Sequence, residues 1–261
     1  MAKEKMTTEV LCQEKLAEGI YSLWLNAGKM AAEAVPGQFI SIYSSDASRL
    51  LPRPISLCEI DSEGGRLRVV YRVAGAGTEE FSQLKQGDFV DILGPLGNGF
   101  PLKEAEGKRV LLIGGGIGIP PMLETAKALR GKAELTSVLG YRDSQLFLQT
   151  AFAACGAAEV ATEDGSAGTK GNVLDAVREK GLTGDLIFAC GPKPMLRALK
   201  AYAAETDIKC YLSLEERMAC GIGACLACVC QSKDVDEHSH VHNKRICKEG
   251  PVFCAEEVEL L

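Results

Sequence analysis

The spacing of four cysteines near the C-terminal end constrains the fold of this chain more than any other feature. The segment Cys220-Gly-Ile-Gly-Ala-Cys225-Leu-Ala-Cys228 is followed by Cys247 after eighteen further residues. Three cysteines separated by four and then two residues, with a distant fourth, are the spacing of plant-type [2Fe–2S] sites. The small residues between them let backbone N–H groups approach the bridging sulfurs. The sequence therefore predicts a loop around a [2Fe–2S] cluster, with Cys220, Cys225, Cys228 and Cys247 as metal ligands.

Other ligand sets stay open at this point. A structural zinc site with four cysteines suits the Cys-x-x-Cys pair but does not require the glycine loop before it. A Rieske centre needs two histidine ligands, and the chain has no Cys-x-His pair. Cys254 competes with Cys247 as the fourth ligand, and Cys230 is a spare thiol nearby. The histidines of the chain are expected in a solvated loop between the third and fourth ligands: His238, His240 and His242.

Charge and hydropathy argue against a nucleic-acid-binding, membrane-spanning or secreted protein. A net charge of −6 leaves no basic stripe for a nucleic-acid partner. The longest apolar stretch, residues 110–123, is broken by glycine and proline and is shorter than the ~20 residues that cross a bilayer. The first ten residues lack the apolar core of a signal peptide. We therefore expect a cytoplasmic protein without a membrane segment. Cysteines outside the C-terminal segment are expected as small core residues: Cys12, Cys58, Cys155 and Cys210.

The chain divides into three segments that differ in their pattern of strand, helix and turn signals. Residues 1–101 carry short runs of β-forming residues between turn signals, which predict a small antiparallel barrel. Thr78 is predicted to cap a short helix within this segment. The predicted strand runs are 19–25, 38–43, 55–60, 67–73 and 89–93.

Residues 102–208 alternate between strand and helix patterns, which is typical of a parallel α/β domain. The predicted strands are 109–113, 135–140 and 185–189, and the predicted helices are 122–129, 146–153, 172–178 and 193–203. Residues 209–261 have little periodicity. They are predicted to form a small [2Fe–2S] domain that needs its metal as a staple.

Two glycine-containing turns in the second segment predict a dinucleotide site. Gly114, Gly115, Gly116 and Gly118 follow a predicted strand and precede a predicted helix, where glycine lets the backbone approach a pyrophosphate. Cys190, Gly191 and Pro192 form a second turn of this kind. Packing alone remains the alternative explanation for these glycines.

The barrel segment carries a second set of candidate ligand-binding residues. Arg53 and a helix start at Gly77 could clamp a diphosphate between them. Ser56 is a short hydroxyl that could reach a flavin ring nitrogen. Surface charge and turn formation are the alternative roles for these residues.

The order of these motifs resembles the ferredoxin reductase superfamily: Arg-Pro-x-Ser, Gly-x-Gly-Thr, then Gly94-Pro-Leu-Gly-Asn-Gly-Phe and a nicotinamide nucleotide domain. Over essentially the whole chain, and most specifically in the cysteine segment and Cys247-Lys-Glu-Gly-Pro-Val-Phe, it is similar to the electron-transfer subunits of NAD-dependent dihydroorotate dehydrogenase. The resemblance implies FAD contacts at Arg53, Pro54, Ile55, Ser56, Val70, Tyr71, Arg72, Gly77 and Thr78. Ile55 stands where many reductases have a tyrosine against the flavin. The C-terminal aromatic residue that covers the flavin in many reductases is absent.

The resemblance also implies a function. NAD(H) as substrate would exchange a hydride with FAD, and FAD would exchange electrons with the [2Fe–2S] cluster. The partner would be an FMN-containing dihydroorotate dehydrogenase catalytic subunit, in a heterotetramer with two copies of each chain, in pyrimidine (UMP) biosynthesis. No residue is required as a general acid or base, so no catalytic residue is predicted.

Three other functions stay open. One is a subunit of a sulfide dehydrogenase or of an NADH-dependent ferredoxin–NADP reductase, although these relatives tend to have aspartate where this chain has Cys220. A second is a stand-alone reductase that feeds an oxygenase. The third is a zinc-stapled interaction module without flavin.

Overall fold

The N-terminal segment folds into the predicted antiparallel barrel. The computed structural model describes residues 3–236 and 240–260, so His238 lies outside the described residues. Six strands close the barrel in the order β1-β2-β5-β4-β3-β6. They are β1 (Glu4–Ala17), β2 (Ile20–Asn26), β3 (Phe39–Ile42), β4 (Arg53–Asp61), β5 (Arg66–Arg72) and β6 (Phe89–Leu96). Two short helices, α1 (Lys29–Glu33) and α2 (Ala76–Phe81), connect them.

Strand β3 shows how the barrel contacts the rest of the chain. Ile40 and Ile42 point into the barrel core. Because side chains alternate along a strand, Phe39 and Ser41 point outward, yet both are buried. Phe39 belongs to the same apolar cluster as Cys228, Cys247 and other residues of the C-terminal segment. The outer face of β3 is therefore covered by the cysteine-containing segment.

The second segment forms an α/β sheet, as its strand–helix alternation predicts, and two strands from residues 209–261 complete that sheet. Its order is β10-β9-β8-β7-β11-β12-β15, in which β15 is Val252–Cys254, and every pair except the last is parallel. The parallel strands are β7 (Arg109–Gly115), β8 (Glu134–Tyr141), β9 (Ala157–Thr162), β10 (Thr169–Lys170), β11 (Leu186–Cys190) and β12 (Lys209–Ser213). The helices are α3 (Pro120–Leu129), α4 (Gln149–Ala153), α5 (Val173–Glu179) and α6 (Lys193–Thr206). Asn172 caps α5 by accepting from the backbone N–H groups of Leu174 and Asp175.

The C-terminal segment leaves this sheet and returns to it. Strands β13 (Val229–Ser232), β14 (Asn243–Arg245) and β16 (Val258–Glu259) form a small separate sheet. Between them, β15 (Val252–Cys254) pairs antiparallel with β12, and Val252 lies opposite Ser213. The cysteine loop is thus held at both ends by one edge of the large sheet.

A partly buried charge cluster joins the barrel to the α/β sheet. Glu59 on β4 forms ion pairs with Arg68 on β5 and with Lys127 on α3. On the same helix, Glu124 Oε2 accepts a hydrogen bond of 2.8 Å from the backbone N–H of Ile60. These contacts fix α3 against the outer surface of the barrel.

No helix in the described part of the chain is both long enough and apolar enough to cross a membrane.

Candidate functional site

The four predicted ligand cysteines come together as two thiol pairs. The Cys220 thiol lies within interaction range of the Cys225 thiol, and the Cys228 thiol lies within range of the Cys247 thiol. The pairs are close enough for the charge of Cys220 to act on Cys247. Among residues 3–236 and 240–260, no three cysteine, histidine or carboxylate side chains converge as a single metal ion requires. Four cysteines shared between two irons are the ligand set of a [2Fe–2S] centre, so two pairs fit that group.

Backbone donors shape the first pair. The N–H groups of Ile222 and Ala224 donate to Cys220 Sγ at 3.4 and 3.3 Å. Burial acts to raise the pKa of Cys220, but these donors and the Cys225 thiol outweigh it and lower the pKa to about 7. Such N–H groups directed at sulfur are the contacts that tune an iron–sulfur centre.

In the second pair, the surroundings favour deprotonation of Cys228 over that of Cys247. The Cys247 thiol donates to Cys228 and is the main reason that the pKa of Cys228 falls to about 6. The same hydrogen bond raises the pKa of Cys247. The Cys247 N–H also donates to Cys228 Sγ at 3.4 Å. Metal ligands must be deprotonated, so a stabilised thiolate at Cys228 favours metal uptake.

The loop takes a shape that only small residues allow. Gly221 and Gly223 have φ angles of +67° and +85°, a region that L side chains rarely adopt. A Cβ atom on Gly223 would also lie 2.8 Å from Lys248 Cδ. The sequence predicted small residues here so that backbone N–H groups could approach sulfur, and the structure adds that the backbone conformation itself favours glycine.

A buried arginine that was not predicted from the sequence hydrogen-bonds to the backbone of the cysteine loop. Arg245 is buried and donates to the Gly223 carbonyl oxygen at 2.9 Å. Glu249 neutralises it with contacts of 3.1 and 2.6 Å to two guanidinium nitrogens, and Asp236 adds a third acidic contact at 3.4 Å. The available signal was an arginine and a glutamate on either side of the last ligand, Cys247.

The remaining cysteines lie outside the two pairs. Cys230 Sγ contacts the Lys244 carbonyl oxygen at 3.6 Å, and burial raises the pKa of Cys230 to about 11. Cys254 lies on β15, opposite Tyr211.

The other predictions for cysteine and histidine have mixed outcomes. The core prediction is confirmed for Cys58 and Cys210, which are buried, and is wrong for Cys12 and Cys155, which are only partly buried. Cys155 nevertheless packs against the edge of an apolar core cluster. The described histidines, His240 and His242, are exposed, as expected.

On the barrel, the structure brings Arg53 against the start of α2. A Cβ atom on Gly77 would lie 2.7 Å from Arg53 Nε, and Arg53 donates to the Leu51 carbonyl oxygen at 2.5 Å. The prediction that Thr78 is the N-cap is wrong. Gly75 occupies that position, and Thr78 lies in the first turn with its hydroxyl oxygen accepting from the Gly75 N–H at 3.2 Å. The guanidinium and the helix start are nevertheless adjacent, as a diphosphate clamp requires.

The flavin-contact candidates divide between the two faces of the barrel wall. Ile55 packs against the barrel core, so its neighbours Pro54 and Ser56 point outward. Tyr71 is fully buried in the core, where its hydroxyl donates to Gln13 Oε1 at 3.0 Å. Its ring therefore cannot serve as an exposed stacking surface.

Val70 and Arg72 alternate with Tyr71 and face the other way. Val70 packs with the core of the α/β segment. Arg72 is exposed, and its Nη2 lies 3.6 Å from the Cβ position of Gly116. Arg72 therefore reaches from β5, which carries predicted flavin contacts, to the predicted dinucleotide turn.

The two predicted dinucleotide turns meet at the carboxyl ends of β7 and β11. A Cβ atom on Gly118 would lie 2.4 Å from the Cys190 carbonyl oxygen. A Cβ atom on Gly115 or on Gly191 would lie 2.5 or 2.3 Å from the Met195 side chain, and one on Gly114 would lie 3.0 Å from Ile119 Cα. Pro192 precedes α6 as its N-cap. A side chain at several of these positions would clash with neighbouring atoms, so close packing is one reason for glycine there. The absence of side chains also leaves backbone N–H groups accessible to a pyrophosphate.

A family model described as the iron–sulfur cluster binding domain of dihydroorotate dehydrogenase B matches residues 215–259. The chain is 46% identical over 264 residues to a protein of Geobacillus sp. (strain WCH70) named dihydroorotate dehydrogenase B (NAD(+)), electron transfer subunit, covering 100% of both chains. The protein of the same name from Listeria monocytogenes serotype 4a (strain HCC23) is 45% identical, covering 97% of this chain and 98% of that one.

Solved structures agree. An NADH-dependent reduced ferredoxin–NADP oxidoreductase superposes with a TM-score of 0.87 at 33% identity, covering 97% of this chain and 90% of the other. A ferredoxin NADP+ reductase from Neisseria gonorrhoeae with bound FAD and NADP has a TM-score of 0.65 at 16% identity, covering 78% of this chain and 91% of the other, and shows the fold alone. With full-length identity of 46% and paired cysteines inside the matched cluster domain, this chain belongs to the electron transfer subunits of dihydroorotate dehydrogenase B (NAD+).

Proposed function

We propose that this chain couples NAD(H) to an FMN-containing catalytic subunit that oxidises dihydroorotate, in a cytoplasmic heterotetramer with two copies of each chain. The observation that carries the proposal is the placement of two thiol pairs in a loop held between the flavin-type barrel and the α/β sheet.

The residues of this chain would hold the three groups. Arg53 and the start of α2 would bind the FAD diphosphate, with Pro54 and Ser56 beside the ring. The turn at Gly114–Gly118 and the turn at Cys190–Pro192 would bind NAD(H). The four paired cysteines would hold the [2Fe–2S] cluster. When bound, FAD and the cluster convert between hydride transfer and one-electron transfer, which no amino-acid side chain can do.

Arg72 would have two roles in this arrangement. It ends β5 at the flavin-contact strand and reaches the dinucleotide turn at Gly116. A fixed positive charge at that point would orient the phosphates of both dinucleotides and hold the two binding sites in register.

The exposed side of the cysteine loop supports a docking surface for the catalytic subunit. Ile222 and Leu226 flank Cys225, and their side chains are 45% and 39% exposed. Cys228 and Cys247 on the opposite side are buried. Exposed apolar side chains around one ligand pair would let a partner cover the cluster and exclude water from the path between the two proteins.

The test is an anaerobic titration of the purified chain with dihydroorotate, with and without the FMN-containing subunit from the same organism. We expect the flavin and cluster absorbance bands to bleach with dihydroorotate only when the partner is present, and with NADH in both cases. Bleaching by NADH but never by dihydroorotate would contradict the proposed partner. It would favour the sibling ferredoxin–NADP reductase function instead.

A further inference from the structure

One buried hydroxyl has no partner where the barrel meets the cysteine loop. Ser41 is 1% exposed, and its Oγ makes no hydrogen bond within the described part of the chain. A buried hydroxyl without a partner destabilises a fold, and most buried polar atoms in proteins are paired. Its isolation calls for a partner that binds there.

The position of Ser41 is set by β3. Its side chain points out of the barrel, since Ile40 and Ile42 on either side point in. A methyl group on Gly221 would lie 3.2 Å from Ser41 Oγ and 3.2 Å from Leu96 Cδ1. The hydroxyl therefore faces the residue that follows Cys220 in the cysteine loop.

The neighbouring strand connects Ser41 to the flavin-contact segment. In the β3–β4 register, Ser41 lies opposite Pro54, and Phe39 lies opposite Ser56. Side chains of directly opposed residues share one face of a sheet and lie about 5 Å apart. Ser41 is thus between the predicted flavin contacts and the cysteine loop, on the outer face of the barrel. Pro54 has no polar side-chain atom to pair with it, so the cysteine side is the open direction.

We propose that the Ser41 hydroxyl donates a hydrogen bond to a sulfur atom of the cluster held by Cys220 and its three partners. This inference rests on the ligand set of the proposed function. A serine hydroxyl can rotate its hydrogen toward such an acceptor. Donors to the sulfurs stabilise the more negative, reduced cluster and so raise its reduction potential. Ser41 would make electron acceptance by the cluster easier from the flavin side of the loop.

The experiment compares the reduction potentials of FAD and of the cluster in the holoprotein. Wild type, Ser41→Ala and Ser137→Ala are titrated anaerobically, with FAD followed by absorbance and the cluster by electron paramagnetic resonance. Ser137 is the matched control, because it is equally buried and equally unpaired but lies on β8 of the α/β sheet. We expect Ser41→Ala to lower the cluster potential and leave the flavin potential in place, with neither shifted by Ser137→Ala.

A second readout distinguishes a hydrogen bond from a packing effect. The Fe–S stretching bands of wild type should shift in D2O, and part of that shift should be lost in Ser41→Ala. If Ser41→Ala does not retain iron, Ser41→Thr keeps the hydroxyl and decides: full iron content supports the inference, and iron loss overturns it.

Other outcomes separate the inference from the function it rests on. A shifted flavin potential with an unchanged cluster would assign the hydroxyl to the flavin, and no shift in either group would leave it without a redox role; both overturn the inference. Absence of a cluster in wild type would instead overturn the proposed ligand set.

Discussion

Asn98 and Val252 hydrogen-bond to each other through both of their polar groups. Asn98 Nδ2 donates to the Val252 carbonyl oxygen at 2.8 Å, and the Val252 N–H donates to Asn98 Oδ1 at 3.0 Å. Asn98 Nδ2 also donates to the Glu249 carbonyl oxygen at 2.9 Å. One side chain in the turn after the barrel thus mimics a strand partner and fixes the point where the cysteine segment rejoins the large sheet.

Asn98→Ala should loosen this junction. It removes three hydrogen bonds and leaves partly buried backbone groups without partners, so we expect the free energy of unfolding to fall by about 3 kcal/mol. Urea unfolding measures the loss. Asn26→Ala, at an exposed position on β2, is the control and should change stability by less than about 0.5 kcal/mol. An equal effect of the two substitutions would show that the junction adds nothing.

Cys247→Ser should abolish or destabilise the cluster and leave FAD bound. Cys247 is paired with Cys228, whereas Cys254 lies on β15 opposite Tyr211. Iron and acid-labile sulfide content, with the visible spectrum, measure the result. Cys254→Ser is the matched control and should keep its iron. Full iron in Cys247→Ser with loss in Cys254→Ser would transfer the ligand role to Cys254.

Arg53→Ala should weaken FAD retention. Its guanidinium lies against the start of α2, where a diphosphate would meet both a positive charge and the N-terminal end of a helix. We expect a lower flavin-to-protein ratio after gel filtration, with the iron content unchanged. Arg66→Ala removes an exposed arginine paired with Asp61 on the same barrel and should leave the ratio intact. Full flavin occupancy in Arg53→Ala would contradict the clamp.

Glu59→Gln should change how stability depends on pH. Burial acts to raise the pKa of Glu59, but Lys127 and Arg68 outweigh it and hold the pKa below its usual value. The stabilisation is therefore present above the unfolded pKa of about 4.3 and is lost as the pH falls through the folded pKa. At pH 7 we expect Glu59→Gln to cost about 3 kcal/mol, because Arg68 keeps a partly buried charge without its partner. That gap should narrow below about pH 4.

Glu124→Gln, on helix α3, should change the pH dependence of stability in the opposite direction. Burial raises the pKa of Glu124, so its charge disfavours the fold at neutral pH and the penalty disappears as the carboxyl is protonated. Urea midpoints of wild type and both variants between pH 3 and 7 measure these trends. Parallel curves for all three proteins would contradict the assigned roles.

Removal of iron should expose part of the C-terminal segment to protease. Metal binding and folding are coupled in small metal-held segments, so residues 215–249 should become cleavable in the apoprotein. Val252 and Phe253 pair with Ser213 and Leu212 in the large sheet and should stay protected. Limited proteolysis with mass spectrometry locates the cuts. Identical digestion of apoprotein and holoprotein would show that the loop holds its shape without metal.

Local patterns were enough to predict the barrel, the α/β sheet and the cysteine loop. They failed where pairing is long-range. Strand β1 escaped prediction because its many charged and polar residues and two irregular pairings with β2 hide the alternation. Strand β15 is three residues long, and only contact with β12 makes it a strand.

In the candidate site, too, local motifs were predictable from the sequence and long-range contacts were not. Motif order placed Arg53 near Gly77, since both belong to short segments with distinctive composition. It could not show that the Tyr71 ring points into the barrel, because that depends on register. It also could not find Arg245 or Asn98, whose partners are backbone carbonyl groups distant in sequence or set by loop shape.

The return of β15 to β12 has a mechanical consequence. A redox group on a flexible tether must search for its partner by diffusion, and its reach is set by the length of the linker. Here the strands on both sides of the loop, β12 and β15, pair with each other at one edge of the large sheet. The loop is therefore anchored at both ends and is not a flexible tether. The anchoring of both ends therefore limits how far the paired thiols can move away from the dinucleotide turns.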